Sequence, residues 1–341
     1  MSRIENKNGC QTITTDFNQI LLNCALLCRS IYEENPKFAL ESCGYEHTIQ
    51  SLTLTLKQLK LKYMICSIEE VKKLIFVFCE TEQMDDYLTN IDLCYYIEDC
   101  EGSIHSTIAR LSIQIPAEVF VHKILDGYDL VFTGHGLGGA LASSVATSLL
   151  MHDKVRDNTE MQNRILTIAF GTPPFVDVKF KTFIEETKNL KNRFYFYINE
   201  NDLVVKLFDS FTNSADKSIL IKNGFVDKLN NLANDIIKSK EILNSKSLIN
   251  VIFESLNKIK EPHTFQYFGL LFNSSNVSDL NLSKNNFDLN LLFRDPIKSH
   301  NMKGYFDDLK KSHLRTKLIP QINKKISDLK EFEVPQARNV L

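Results

Sequence analysis

The 341-residue sequence predicts an α/β fold, a mostly parallel sheet with helices on both faces. Three observations lead there. Continuous apolar runs rich in β-forming residues recur through the N-terminal two-thirds, and such runs suit strands buried on both sides. Between two of them lies "GALASSVATSLLMH" (139–152), a helix-length stretch of small and apolar residues that can pack tightly on a sheet. The resulting strand–helix–strand alternation places the strands side by side and parallel.

Taken in order, residues 1–16 form a polar N-terminal segment. "FNQILLNCALLCRSIYEE" (17–34) repeats apolar residues every three or four positions, as an amphipathic helix does. "LTLTLKQLKLKYMIC" (52–66) alternates apolar and polar residues, as a half-buried strand or hairpin would. The buried strands are "KLIFVFCET" (73–81), "YDLVFTGHG" (128–136), "RILTIAFGTP" (164–173) and "NRFYFYINEND" (192–202). From 210 to 262 the chain becomes rich in Lys, Asn and Ser with helical periodicity, which reads as a helical insert of two amphipathic helices. "LFNSSNVSDLNLSKNNFDLNLLF" (271–293) opens as a polar loop, and 310–341 reads as a solvated helical tail of mixed charge. No internal repeat is present.

Composition removes several function classes. A net charge of −2, with 24% charged residues, leaves no electrostatic footprint for nucleic acid. No run of 18 uninterrupted apolar residues is present to span a membrane. "MSRIENKNGCQTITTDFNQ" lacks the apolar core of a signal peptide, so a cytoplasmic location is expected. All eight cysteines fall between Cys10 and Cys100; in a reducing compartment Cys24 and Cys28, four apart on one helix face, are expected as buried free thiols. The eight histidines are scattered without ligand spacing, so neither a metal nor a cofactor is expected.

The motif with chemistry in it is Gly134-His135-Gly136-Leu137-Gly138-Gly139. It follows a buried strand and opens a small-residue helix, the setting of the G-x-S-x-G nucleophile elbow, but its middle position is Gly136. Alternatively it could cradle a dinucleotide. That reading requires Gly139 as the third glycine of G-x-G-x-x-G and an early βα unit that the chain does not supply.

"VFTGHGLGGALA" resembles the "TGHSLGGALA" segment of the class 3 (fungal) lipase family, with glycine in place of serine. Further family blocks follow in the family's order. "FVFCETEQMDDYLTNID" is similar to "FRGT…DWLTNL", and "GSIHSTI" to "G-x-V-H-x-G-F". "AFGTPPFVD" is similar to "TFGxPxVGD", and "INENDLVVKLF" to the aspartate stretch "NDxVPRLP". "PIKSHNMKGYFDDL" is similar to "DHxxYxxxL".

The resemblance implies an α/β-hydrolase fold over 17–309, with the helical insert ahead of a late histidine. It places the nucleophile position at Gly136, the triad aspartate at Asp202 and the triad histidine at His300. The oxyanion hole would be Thr81 with the backbone N–H of Leu137, and Met84–Asp92 would be the lid. It further implies an acyl ester, a lipid, as substrate. Gly134, His135, Gly138 and Gly139 complete the elbow, with His135 in a packing role. Departures accumulate near the site: Cys79-Glu80 stand where the family has Arg-Gly, Thr107 where it has glycine, and Phe175 and Val205 are also atypical. Cys79 should point away from the site by strand alternation, and Ser143 and Ser144 lie too deep in the helix to replace the nucleophile.

Three readings follow. The leading one is a lipase-like domain without ester hydrolysis, acting as a ligand-binding or scaffold protein. Another is an acyl-ester lipase seen in an inactive Ser→Gly form. The third is a protein-interaction module using the helical insert.

Overall fold

The computed structural model describes residues 9–33, 36, 48–56, 59–68, 72–79, 93–94, 101–199, 202, 205, 265–272 and 302–311. Thr81, the segment Met84–Asp92, the insert 210–262, His300 and the tail beyond 311 lie outside them.

Nine strands are described: β1 (Thr48–Leu56), β2 (Leu59–Ile68), β3 (Lys73–Phe78), β4 (Leu93–Cys94), β5 (Ile104–His105), β6 (Asp129–His135), β7 (Ile165–Phe170), β8 (Phe194–Tyr197) and β9 (Leu270–Phe272). Seven form one sheet in the order β1-β2-β3-β6-β7-β8-β9, and β4 pairs with β5 separately. From β3 to β9 all neighbours are parallel, with registers such as Leu74↔Leu130 and Val131↔Leu166. β1 and β2 add an antiparallel hairpin at the β3 edge. The alternating run 52–66 is thus a hairpin, and the four apolar runs are the central parallel strands.

Seven α-helices and a 3₁₀ turn (Lys191–Arg193) complete the described elements: α1 (Gly9–Ser30), α2 (Ser106–Ser112), α3 (Glu118–Leu125), α4 (Leu137–Leu150), α5 (Thr159–Asn163), α6 (Val178–Glu186) and α7 (Met302–Lys311). Strand alternation sorts the core into two layers. Leu74, Phe76, Phe132, Phe194 and Phe196 face α2, α3, α4 and α6. Ile75, Val77, Val131, Ile168 and Phe170 face α1 and α7. A residue's parity along its strand therefore decides which layer it joins. The mostly parallel sheet flanked by helices is the architecture the sequence predicts.

Two local readings differ. α1 starts at Gly9, eight residues before the periodic apolar pattern, because "GCQTITTD" carries no repeating apolar stripe to mark its helicity. The stretch from Leu271 reads in sequence as the opening of a loop, yet Leu270–Phe272 is β9, parallel to β8. Three residues are too few for a period to show. β9 is recognisable only from its pairing and the burial of Leu270 and Phe272.

Cys24, Cys28 and Cys66 are buried free thiols, as expected for the first two. Cys28 Sγ lies 3.3 Å from Thr133 Oγ1, whose hydroxyl donates to Ile168 O at 2.6 Å and so fastens α1 to the sheet. Burial pushes the Cys24 thiol up to about 12 and Cys66 to about 11.

Candidate functional site

The site is built on the turn between β6 and α4. β6 ends in Gly134-His135, both buried, and α4 begins at Leu137. Between them Gly136 has φ +56° and ψ −123°, a backbone conformation that clashes with a Cβ and that glycine enters freely. Its N–H donates to Phe170 O at 2.9 Å, and its carbonyl accepts from Gly139 N at 3.2 Å and Ala140 N at 3.3 Å. The turn is therefore pinned on one side to β7 and on the other to the first turn of α4. Leu137 N–H opens the helix without an acceptor one turn back, so it points toward whatever sits above the turn.

The small-residue face is needed because the helix sits on the strand ends. A Cβ on Gly138 would run into the carbonyl of Phe78 and approach the carbonyl carbon of Cys79 to 3.1 Å. α4 is buried along nearly its whole length, so its hydroxyls bond within the protein, to the helix's own carbonyls or to α2. Ser143 Oγ donates to Gly139 O at 2.8 Å, and Ser144 Oγ accepts from Ser112 Oγ at 2.8 Å. Neither serine faces the turn. Cys79 joins the buried layer against α1, the side opposite α4, as strand alternation requires.

Asp202 is the second group at this end of the sheet, and it is fully buried. Its N–H donates to Asn199 O at 2.9 Å, and its Oδ1 accepts from Val205 N at 3.1 Å. Its Oδ2 accepts from the hydroxyl of Tyr305 on α7. That hydroxyl in turn accepts from Asn199 N at 3.2 Å. Tyr305 is held protonated: burial pushes its phenol well above the usual value, and the Asp202 charge and hydrogen bond push in the same direction, against a weaker opposing effect of Asn199 N–H.

Turn and carboxylate meet through β7. Phe170 O takes the Gly136 N–H, and the next residue, Gly171, lies against both Asp202 Oδ2 and the Tyr305 hydroxyl. The Tyr305 ring also stands edge-on to His135, with centroids 5.6 Å apart. His135 Nδ1 lies 3.3 Å from the Tyr32 hydroxyl at the end of α1. His135 thus sits between two tyrosines, in contact with α1 and α7.

Of the residues singled out in the sequence, Gly134, His135, Gly136, Leu137, Gly138 and Gly139 form the turn, and Asp202 lies beside it through Phe170-Gly171. Thr81 and His300 lie outside the described residues. Thr107 is buried and capped by its neighbour, its N–H donating to His105 Nδ1 at 3.2 Å. Phe175 and Val205 are both buried. Sequence reasoning missed Tyr305, although the tyrosine of "YFDDL" lay within a quoted block. Asn199, whose role here is made by its backbone, carries no sequence signal. Among the described residues no cluster of three or more His, Cys, Asp or Glu could hold a metal ion, and no helix is long and apolar enough to cross a membrane.

Comparison with known proteins adds the following. The family model described as "Lipase (class 3)" matches residues 75–212, which take in most of β3, the turn at Gly136 and Asp202. Among solved structures, the chain is similar to Rhizomucor miehei triacylglyceride lipase at 18% identity, covering 57% of this chain and 74% of that one, with a TM-score of 0.44. It is similar to a triacylglycerol lipase from Penicillium expansum at 15% identity, covering 76% of this chain and 79% of that one, with a TM-score of 0.43. A further triacylglycerol lipase, whose catalytic centre is described as a serine protease triad, matches at 16% identity over 57% of this chain and 74% of that one, with a TM-score of 0.44. No curated protein matches the sequence.

Proposed function

We propose that the chain is a class 3 lipase-like α/β-hydrolase domain that binds an acyl ester or other lipid without hydrolysing it. One observation carries this reading. Gly136 occupies the middle of the turn, in the φ +56° conformation between a buried strand and a small-residue helix, and has no side chain to attack an ester. In a triad hydrolase the serine oxygen forms the acyl-enzyme bond. Without it, the donors and the binding site alone give roughly 10³–10⁴-fold over water, a small part of the enzymatic rate. The family match over 75–212 supports a lipid as the ligand class. The glycine also relieves strain: a side chain in this conformation costs about 1–3 kcal/mol, a cost kept where chemistry requires it. The buried free thiols suit a reducing, cytoplasmic compartment.

The test is covalent capture. An alkyl fluorophosphonate, which labels activated serines, is incubated with the native protein and adduct formation is read by intact mass. The reading expects no adduct on the native chain; a stoichiometric adduct there would overturn it. The presence of a buried carboxylate, Asp202, beside the turn through Phe170-Gly171 favours a second reading, an acyl-ester lipase in an inactive Ser→Gly form. Under that reading Gly136→Ser alone brings back labelling and ester turnover.

A further inference from the structure

The resemblance placed a histidine at position 300, but the helix that carries the site's tyrosine has a different register. Met302, Tyr305 and Leu309 lie on one face of α7, all three buried, at spacings of three (305 − 302) and four (309 − 305). These are the spacings of histidine to tyrosine and tyrosine to leucine in "DHxxYxxxL". His300 is five residues before Tyr305, two more than that pattern allows.

Geometry agrees with the register. Residues three apart on a helix share a face, and helical side chains lean toward the N-terminus, over the preceding turn. The Tyr305 side chain therefore extends toward the Met302 end of α7, and its hydroxyl meets Asp202 there. Met302 is 3% exposed and packs in the same buried layer as Tyr305, Phe170 and Ile168. The position one turn ahead of the tyrosine, on the same buried face of α7, is a thioether.

Resting on the lipase-like reading above, we infer that Met302 occupies the triad-histidine position. A thioether neither donates to a carboxylate nor takes a proton at neutral pH. The site then lacks both the attacking oxygen and the base that would activate it. Asp202 is left with a structural task, tying the loop after β8 to α7 through Tyr305 and Val205 N–H.

The test is an NMR titration of the histidines in the native chain and in Asp202→Asn, with the His300 signal identified by its loss in His300→Gln. The inference expects the His300 midpoint to be the same in both. Were His300 paired with Asp202, loss of the carboxylate charge would lower its midpoint by about 1–3 pH units, and such a drop overturns the inference. A second measurement needs no Asp202 variant. Short-chain p-nitrophenyl ester turnover is compared between Gly136→Ser and Gly136→Ser/Met302→His. The inference expects the added imidazole to raise the rate about 10²-fold or more, the range of a positioned general base. Turnover by Gly136→Ser alone that His300→Ala abolishes contradicts it. Neither a titration shift nor its absence depends on whether the native chain hydrolyses esters, so the two proposals can fail separately.

Discussion

Tyr305→Phe is the perturbation whose effect follows most directly from the geometry. Phenylalanine keeps the ring and its edge contacts with His135, Phe170 and Tyr197, so packing is preserved and only the hydroxyl is lost. That hydroxyl donates to a fully buried carboxylate and accepts from Asn199 N–H. A hydrogen bond to a charged group contributes about 1.5–3 kcal/mol, and at complete burial water cannot replace it. Asp202 keeps its Val205 donor, which limits the damage. The expected loss is about 2–3 kcal/mol, read as a urea midpoint lower by roughly 1 M at an unchanged slope. A loss below about 0.5 kcal/mol, the size of an ordinary surface substitution, would refute the assignment of Tyr305 as the group that holds Asp202.

Gly138→Ala should destabilise by about 3 kcal/mol, the upper range for overpacking, because its methyl meets the Phe78 and Cys79 backbone rather than a side chain that can turn away; thermal unfolding reads it. Stability should fall as pH rises above 9. Burial raises Cys24 and Cys28 above the ordinary thiol value of 9.0 and Tyr195 and Tyr305 above the phenol value of 10.0. Cys66 is raised likewise, so the unfolded chain releases these protons first, and each group removes about 1.4 kcal/mol per pH unit between its unfolded and folded values. The stabilisation is whole below pH 9, and denaturant midpoints from pH 8 to 11 give the slope. Finally, Cys24, Cys28 and Cys66 should resist an aromatic disulfide reagent in the native protein and react at once in denaturant.

How much was legible in the sequence differs by element. The central strands were readable because β3, β6, β7 and β8 are buried on both faces and so appear as unbroken apolar runs. The turn at Gly136 was readable because the packing of α4 on β3 restricts its residues to a recognisable string of glycines and alanines. β9 escaped because its three residues lack a period. Asp202 could be located by motif, but its state could not: its ligands are the Val205 N–H, which has no side-chain signature, and a tyrosine 103 positions away. Tyr305 was visible as a letter in "YFDDL", whereas its spacing to Met302 and Leu309 becomes meaningful only once α7 shows which face is buried.

The most direct measurement is steady-state hydrolysis of a short-chain p-nitrophenyl ester by the native protein beside its Asp202→Asn variant. The account predicts that both give the same slow rate, because without an oxygen at position 136 the carboxylate has no acylation step to assist. A native rate well above that background, abolished by Asp202→Asn in a folded protein, would contradict it and mark the chain as a working hydrolase.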